Sequence, residues 1–320
     1  MGELALIRRI REAPTGHPWL KVGPGSDCAV VTWPAGHEMA YKIDQVVEGA
    51  HFVLDGPEAA TPRQIGWKAL AKAASDIAAA GCRPVAALVA INLRNGLDDT
   101  FALELHAGVK ACAERLGFAL AGGDITSSER TLTVCVSLIG AAPAGQPAWL
   151  RQGARAGDVL LVTGELGGSR GGKHLDFMPR VEEASQLRNL AGAGIRACID
   201  ITDGLARDAG HLCEESGVGI EIDEAALPLS AAAVSAAGRD GRSALEHVLG
   251  DGEDFELLLA VDPSAAEALM KNWAHATRLT RIGRVLPPAA GRTLKRSDGR
   301  SERLPDVGYE HGTSAGSPTQ

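Results

Sequence analysis

The chain has 320 residues, about the length of two average domains, and its 45% apolar content is enough for a sizeable core. Aromatic residues make up only 4%, so that core must be built mostly from Ala, Val, Leu and Ile. A net charge of −8 without any Lys/Arg-rich run argues against binding to a phosphate backbone, and so against nucleic acid as a partner. No apolar stretch approaches the roughly 20 residues needed to span a bilayer, so no membrane partner is expected. Charges inside the apolar pattern of MGELALIRRIREAP argue against a signal peptide. The six cysteines are scattered without a CxxC, which fits neither a zinc site nor a disulfide framework and suits a reducing cytoplasm.

In chain order, residues 5–11 read as a short amphipathic helix, and a Gly/Pro-rich turn over 22–26 leads to Asp27 and the apolar run 29–31. Residues 39–44 alternate, with Met39, Tyr41 and Ile43 on one face and Ala40, Lys42 and Asp44 on the other, as a strand does. Trp67, Leu70, Ala74 and Ile77 recur at helical spacing within 62–80, with Gly81 as the stop. An apolar strand follows over 85–93. A second helix starts at Asp98-Asp99 and is expected to bury Phe101, Leu105, Val109, Cys112 and Leu116. Phe118–Ala121 reads as a short strand running into Gly122-Gly123-Asp124, and 132–138 alternate as a two-faced strand.

The composition shift over 141–150 suggests a domain boundary. Beyond it the pattern predicts a buried strand at 159–162, a Gly-rich loop, a helix at about 181–191, a strand at 197–201 and a helix from Gly204 to about Glu215. A strand at 220–222, a helix near 263–273 and a strand at 281–285 complete an α/β or α+β pattern. The Gly/Ser/Thr-rich tail at 312–320 is expected to be disordered.

One pattern recurs, an aspartate at a strand end or in a Gly-flanked turn: Asp27, Asp44, Asp124, the Asp200-Ile201-Thr202-Asp203-Gly204 run, and Gly250-Asp251-Gly252-Glu253-Asp254. Turn chemistry accounts for any one of these, and Asp203 could merely cap the helix that follows. Several together point further. Two carboxylates about 4 Å apart repel by roughly 4 kcal/mol at an effective dielectric of 20, so gathered acids call for cations. Hard oxygen ligands select Mg²⁺, which usually sits on a few carboxylates to meet substrate phosphates.

Asp76 lies inside an Ala-rich helix and needs a partner, either Lys72 one turn earlier or a metal. The Gly-rich loop at 164–173 almost spells a P-loop, but His174 stands where that motif needs Ser or Thr, so a flexible glycine turn is the better reading. His51 follows the Asp44 strand closely enough to share its site, although a structural role is open to it as well. No Ser/His/Asp order or nucleophile elbow stands out, so no covalent nucleophile is assigned.

The segments GPGSDCAVV, KIDQVVEGAHF, KALAKAASDIAAAGCRP, AGGD, WLRQGARAGDVLLVTGELGGS, HLDFMPRVEE, CIDITDGLARDAGHL, GDGEDFELLLAV and GYEH occur in that order. Together they resemble the thiamine-monophosphate kinase family of the AIR-synthase-like, ATP-dependent superfamily, over nearly the whole chain. The resemblance implies a two-domain α/β (α+β) fold. Residues 1–145 would form an N-terminal ATP/Mg-binding domain that closes a β-barrel across the two-fold of a homodimer, and 146–311 a C-terminal α/β domain. It implies direct, Mg²⁺-assisted in-line transfer of the γ-phosphoryl group of ATP to thiamine monophosphate. The metal positions would be Asp27, Asp44, Asp76, Asp124, Asp200 and Asp203. ATP contacts would be Gly123, Asp124, Arg151 and Thr202, and His51, Glu253 and Tyr309 would lie near the thiamine phosphate.

Three departures from the family pattern bear on the metals. Ser26 replaces the first acid of an Asp-Asp pair, Lys42-Ile43-Asp44 replaces Ser-Thr-Asp, and Ala73 replaces an Asn. Lys42 is therefore a candidate charge stabiliser in place of a metal ion, or else the partner of Asp44 in a plain ion pair. Two other readings stay open: an enzyme of the same superfamily with another substrate, and a nucleotide-binding regulatory homologue with weakened catalysis. Neither a reactive Cys ahead of the first Asp nor a C-terminal Cys, as related enzymes would carry, is present in the sequence.

Overall fold

A computed structural model describes residues 16–22 and 30–309. The expected helix at 5–11, Ser26 and Asp27, Cys28 and the tail at 312–320 lie outside the described residues. The chain divides into two compact units, residues 1–150 with 172–192, and residues 151–171 with 193–320.

The first unit is built on a four-stranded sheet. Its strands are β3 (Met39–Val47), β4 (Arg83–Arg94), β5 (Ala119–Ser128) and β6 (Thr133–Ala141), in the order β3-β6-β4-β5. Pairing is antiparallel except for β4 with β5, which the helix α2 (Asp99–Leu116) connects as a parallel crossover. Helix α1 (Pro62–Ala79) packs against α2 and against β3 and β6. Thr61 and Gln64 form a capping box at the start of α1, with Pro62 at the first helical position. A short hairpin, β1 (Leu20–Val22) with β2 (Val30–Val31), precedes the sheet, and Trp19 and Trp33 pack on its end. The later segment adds the turn α3 (Lys173–Asp176) and helix α4 (Val181–Ala191).

The alternation in β3 holds, but its faces take opposite roles from the usual ones. Met39, Tyr41 and Ile43 are exposed, Ile43 to 68%, while Lys42, Asp44 and Val46 turn toward α1. Exposed Leu88 on β4 continues this open apolar face. Two expectations need correcting. In α2 the buried set includes Ala102 and Ala113, whereas Phe101 and Leu116 are only half-buried. The strand expected to stop before Gly122 runs on through Gly122, Gly123 and Asp124 to Ser128, because the whole segment pairs with β4. Gly123 has a packing reason of its own, since a Cβ there would collide with the Val89 carbonyl of β4.

The second unit holds a seven-stranded mixed sheet in the order β13-β12-β9-β11-β7-β10-β8. The strands are β7 (Val159–Thr163), β8 (Ile195–Asp200), β9 (Gly219–Asp223), β10 (Leu257–Val261), β11 (Leu279–Leu286), β12 (Arg292–Lys295) and β13 (Ser301–Arg303). Neighbours β7 and β10 are buried at every residue, as their unbroken apolar runs require of interior strands. Four helices belong to this unit, α5 (Leu205–Ser216), α6 (Ala231–Asp240), α7 (Ala244–Gly250) and α8 (Pro263–Asn272). No helix among the described residues is long and apolar enough to cross a membrane. The five described cysteines are all free thiols.

Candidate functional site

In the first unit, α1 presents Lys68, Lys72 and Asp76 four residues apart, and therefore on one face, toward β3. The sequence offered two partners for Asp76 and two roles for Lys42, and the structure settles on a crossed arrangement. Lys42 Nζ lies 2.9 Å from Asp76 Oδ1, and Lys72 Nζ lies 2.9 Å from Asp44 Oδ1. Lys72 thus does not pair within its helix, and Lys42 does not pair with Asp44 along its strand. The Asp44 oxygen also accepts the Gln45 amide at 2.8 Å.

His51 and Lys68 adjoin this stripe. The Val47 amide donates to His51 Nδ1 at 3.1 Å, so the neutral ring carries its proton on Nε2. Lys68 is fully buried; its ammonium donates to the His51 carbonyl at 2.6 Å and lies 2.7 Å from His174 Nδ1. From the same stretch of α1, Gln64 Nε2 donates to Asp176 and Trp67 Nε1 to the Phe177 carbonyl, both at 2.8 Å, tying residues 174–177 to the helix. Sequence reasoning passed over Lys68, although a lysine amid the buried face of an Ala-rich helix was a visible signal.

Asp124 stands apart from Asp44 and Asp76. Its register with Ala90, which continues to Cys135 and Gln45, puts it on the open face of the sheet, while Asp44 lies on the helix-covered face. Within this unit the three carboxylates do not converge.

In the second unit the expected residues do gather, around the turn that follows β8. Asp200 ends that strand and is buried. The Thr202 and Asp203 amides both donate to Asp208 Oδ2, at 2.9 and 3.0 Å. Asp203 therefore does not cap α5, as one reading allowed; Gly204 occupies the cap without a side-chain bond. The loop 250–256 clasps the same turn through Glu253 N to Thr202 O (2.7 Å) and Phe255 N to Ile201 O (2.8 Å). Gly252 sits at φ 71°, where a Cβ would meet the Thr202 carbonyl at 2.5 Å. Glu253 and Phe255 hold φ values of 55° and 52°, a strained conformation for non-glycine residues and one that concentrates at functional sites. The Tyr309 amide donates to the Asp203 carbonyl at 2.9 Å, and the Arg170 guanidinium lies over the Tyr309 ring.

The Gly-rich loop is not the flexible turn the sequence suggested. Gly167 N donates to Asp254 Oδ1 at 2.9 Å, Gly168 N to Asp251 Oδ2 at 3.0 Å, and Ser169 Oγ to the Glu253 carbonyl at 2.5 Å. Two of its amides are committed to carboxylates and those of Gly164, Leu166 and Gly171 to backbone carbonyls, which removes the P-loop reading on physical grounds. Arg151 is placed elsewhere. Its carbonyl accepts Ser216 Oγ at the C-terminal end of α5, a 12-residue helix about 18 Å long whose other end carries the Thr202–Asp203 turn.

The donor chemistry suits a hard cation, since the acids offer oxygen and no thiolate joins them. Among the described residues one trio, Asp203, Asp208 and His211, brings a ligand atom from each to within 4.8 Å of the others. Asp208 and His211 were not singled out from sequence, although Asp-x-x-His on the face of a helix led by Asp203 was the readable signal. Burial pushes the Asp208 carboxyl up to about 8; the charges of Asp203 and Asp200 add to that and the two amides offset part of it. Folded Asp208 therefore keeps a proton that the unfolded chain releases, so metal-free protein loses stability as pH rises from about 4 to about 8. Asp208→Asn should flatten that dependence, as urea unfolding in a chelator at several pH values will show. An unchanged slope in the variant would contradict this account.

These features define a class before they define a member. The AIR synthase related protein N-terminal domain model matches residues 25–142, and the corresponding C-terminal domain model matches residues 155–293. A thiamine-monophosphate kinase of Rhodopirellula baltica is 37% identical over 317 residues, 97% of each chain. The crystal structure of thiamine-monophosphate kinase from Stenotrophomonas maltophilia superposes with a TM-score of 0.77 at 30% identity, covering 94% of this chain and 98% of that one. AaThiL complexed with AMPPCP and TMP gives a TM-score of 0.74 at 28% identity, covering 88% and 89%. The chain belongs to the thiamine-monophosphate kinase family.

Proposed function

We propose that the protein transfers the γ-phosphoryl group of ATP to thiamine monophosphate, giving thiamine diphosphate and ADP. The observation that carries this reading is the gathering of Thr202, Asp203, Glu253 and Tyr309 on one strained, doubly clasped turn. It occurs in a chain matched along 97% of its length by a kinase of that name. A relative that holds AMPPCP, an ATP analogue, together with TMP supports the same pair of substrates.

In-line phosphoryl transfer asks for positioning and charge neutralisation more than covalent chemistry, which agrees with many carboxylates and no assigned nucleophile. Asp27, Asp124, Asp200 and Asp203 are proposed as the Mg²⁺-facing carboxylates, with Asp208 and His211 joining Asp203; Asp44 and Asp76 stand at metal positions implied by the family resemblance, and each meets a lysine. Mg²⁺, when bound, supplies charge neutralisation at the phosphate oxygens. Thr202 offers its hydroxyl to the nucleotide, and Gly123 lets backbone approach closely beside Asp124; Arg151 is proposed as an ATP contact on the resemblance alone. His51 is proposed near the thiamine phosphate on the resemblance alone. Glu253 and Tyr309 would orient the thiamine end, with Lys42 stabilising charge. The N-terminal 1–145 would carry dimerisation and the metal-facing strands, and 146–311 the second, C-terminal domain. Free thiols suit a cytoplasmic enzyme.

The decisive assay is coupled ADP formation. Release of ADP that requires both Mg²⁺ and thiamine monophosphate, and is not supported by free thiamine, is the expected result. Nucleotide binding without turnover would replace this reading with a regulatory one.

The open face of Met39, Tyr41, Ile43 and Leu88 is proposed to pair with a second copy and close a β-barrel. Ile43→Glu changes a side chain that is already 68% exposed, so the single chain should stay folded while the dimer dissociates. Light scattering after gel filtration checks this, and a variant with the mass of the wild type would contradict it.

A further inference from the structure

We infer that Lys42 and Lys72 are built-in counter-cations that occupy a divalent-ion position at the Asp44 and Asp76 carboxylates. This rests on the kinase reading, in which those two acids stand at metal positions of the family. The four groups bridge β3 and α1 through two contacts at 2.9 Å, each lysine meeting an acid on the other element.

Three observations carry the inference. The first is the crossing itself. Each lysine has an acid on its own element, Asp44 two residues along the strand from Lys42 and Asp76 one turn along the helix from Lys72. Both pair across the elements instead, so each carboxylate meets an ammonium presented by the other element. The second is burial. The side chains of Asp44, Lys72 and Asp76 are only 13%, 18% and 21% exposed, so solvent screens these charges far less than it would a surface pair. The third is the use of lone pairs. Asp44 Oδ1 already accepts both the Lys72 ammonium and the Gln45 amide, and Lys72 is anchored further by the Gln45 carbonyl at 3.3 Å.

A divalent ion entering here would have to displace two ammonium groups from half-buried partners, or else lie against them and be repelled. Ile43 offers no ligand oxygen in compensation and points to the opposite face. The charge that a metal would bring to this place is therefore supplied by the chain.

The test counts ions without relying on turnover. Mn²⁺ bound per chain is measured by electron paramagnetic resonance of the free ion, for wild type and for the double variant Lys42→Ser, Lys72→Ala, with melting curves confirming that both are folded. The double variant should gain one equivalent of Mn²⁺. Adding Asp76→Asn should abolish that gain, while Asp76→Asn alone should leave the wild-type count unchanged. Equal counts for wild type and double variant would overturn the inference. So would the loss of an equivalent in the single Asp76→Asn protein, because the lysines would then be yielding to metal. Failure of the ADP assay would leave these counts intact, so failure of the kinase reading and failure of this inference are distinguishable. The conservative Lys42→Arg, which keeps the charge, should behave as wild type.

Discussion

Replacing Asp124 with Asn is expected to lower kcat by a factor of about 100 to 1000, the range typical of losing a preorganised charge at the transition state, while leaving the melting temperature unchanged. The asymmetry follows from its position. Asp124 is exposed on β5, and among the described residues its carboxylate makes no hydrogen bond or ion pair. Asn has the same shape, so nothing that stabilises the sheet is lost. A carboxylate held bare on a strand whose preceding glycine lets β4 approach closely is suited to a ligand rather than to the fold. Rates and melting curves on the same preparation separate the two roles. Unchanged kcat at saturating substrates and Mg²⁺ would remove Asp124 from the site, and a large drop in melting temperature would make it structural.

Lys68→Met should have the opposite signature, a loss of stability of about 2–4 kcal/mol. The side chain is fully buried and its ammonium serves the His51 carbonyl and His174 Nδ1. Methionine keeps most of the apolar stem but leaves the half-buried His51 carbonyl and His174 Nδ1 without that donor, and an acceptor left unmade costs about 1–3 kcal/mol. The lost clamp also frees one of three ties between α1 and residues 174–177, the others coming from Gln64 and Trp67. Urea unfolding measures the difference directly. A variant within about 0.5 kcal/mol of wild type would show that these contacts add nothing net.

Much of the fold was legible because apolar periodicity is a local property. The spacing of Trp67, Leu70, Ala74 and Ile77 gave α1, and Leu132, Val134, Val136 and Leu138 gave the inner face of β6. What escaped had a physical reason in each case. Helices α6 and α7 are short and weakly patterned, and the readable signals were their caps, Ser230 and the Ser243–Glu246 box. Strand β5 was cut short because Gly122 and Gly123 look like punctuation, whereas here they permit a bulge and a close backbone approach.

The site divides along the same line. Its acids were visible one by one, because Asp beside Gly at a strand end is a sequence pattern. Which cation each acid meets was not, since Lys42 and Asp76 are 34 residues apart and meet only once β3 and α1 are packed. The Gly-rich loop misled for a related reason. Its partners Asp251 and Asp254 lie more than 80 residues away, so nothing local shows that it is pinned.

The central claim, phosphoryl transfer onto a phosphate that the substrate already carries, is tested most directly by following the label. ATP carrying a radioactive γ-phosphoryl group, incubated with the protein, Mg²⁺ and thiamine monophosphate, should deliver the label to the terminal phosphate of thiamine diphosphate. Label recovered only as inorganic phosphate, or only in the starting ATP, would contradict the account.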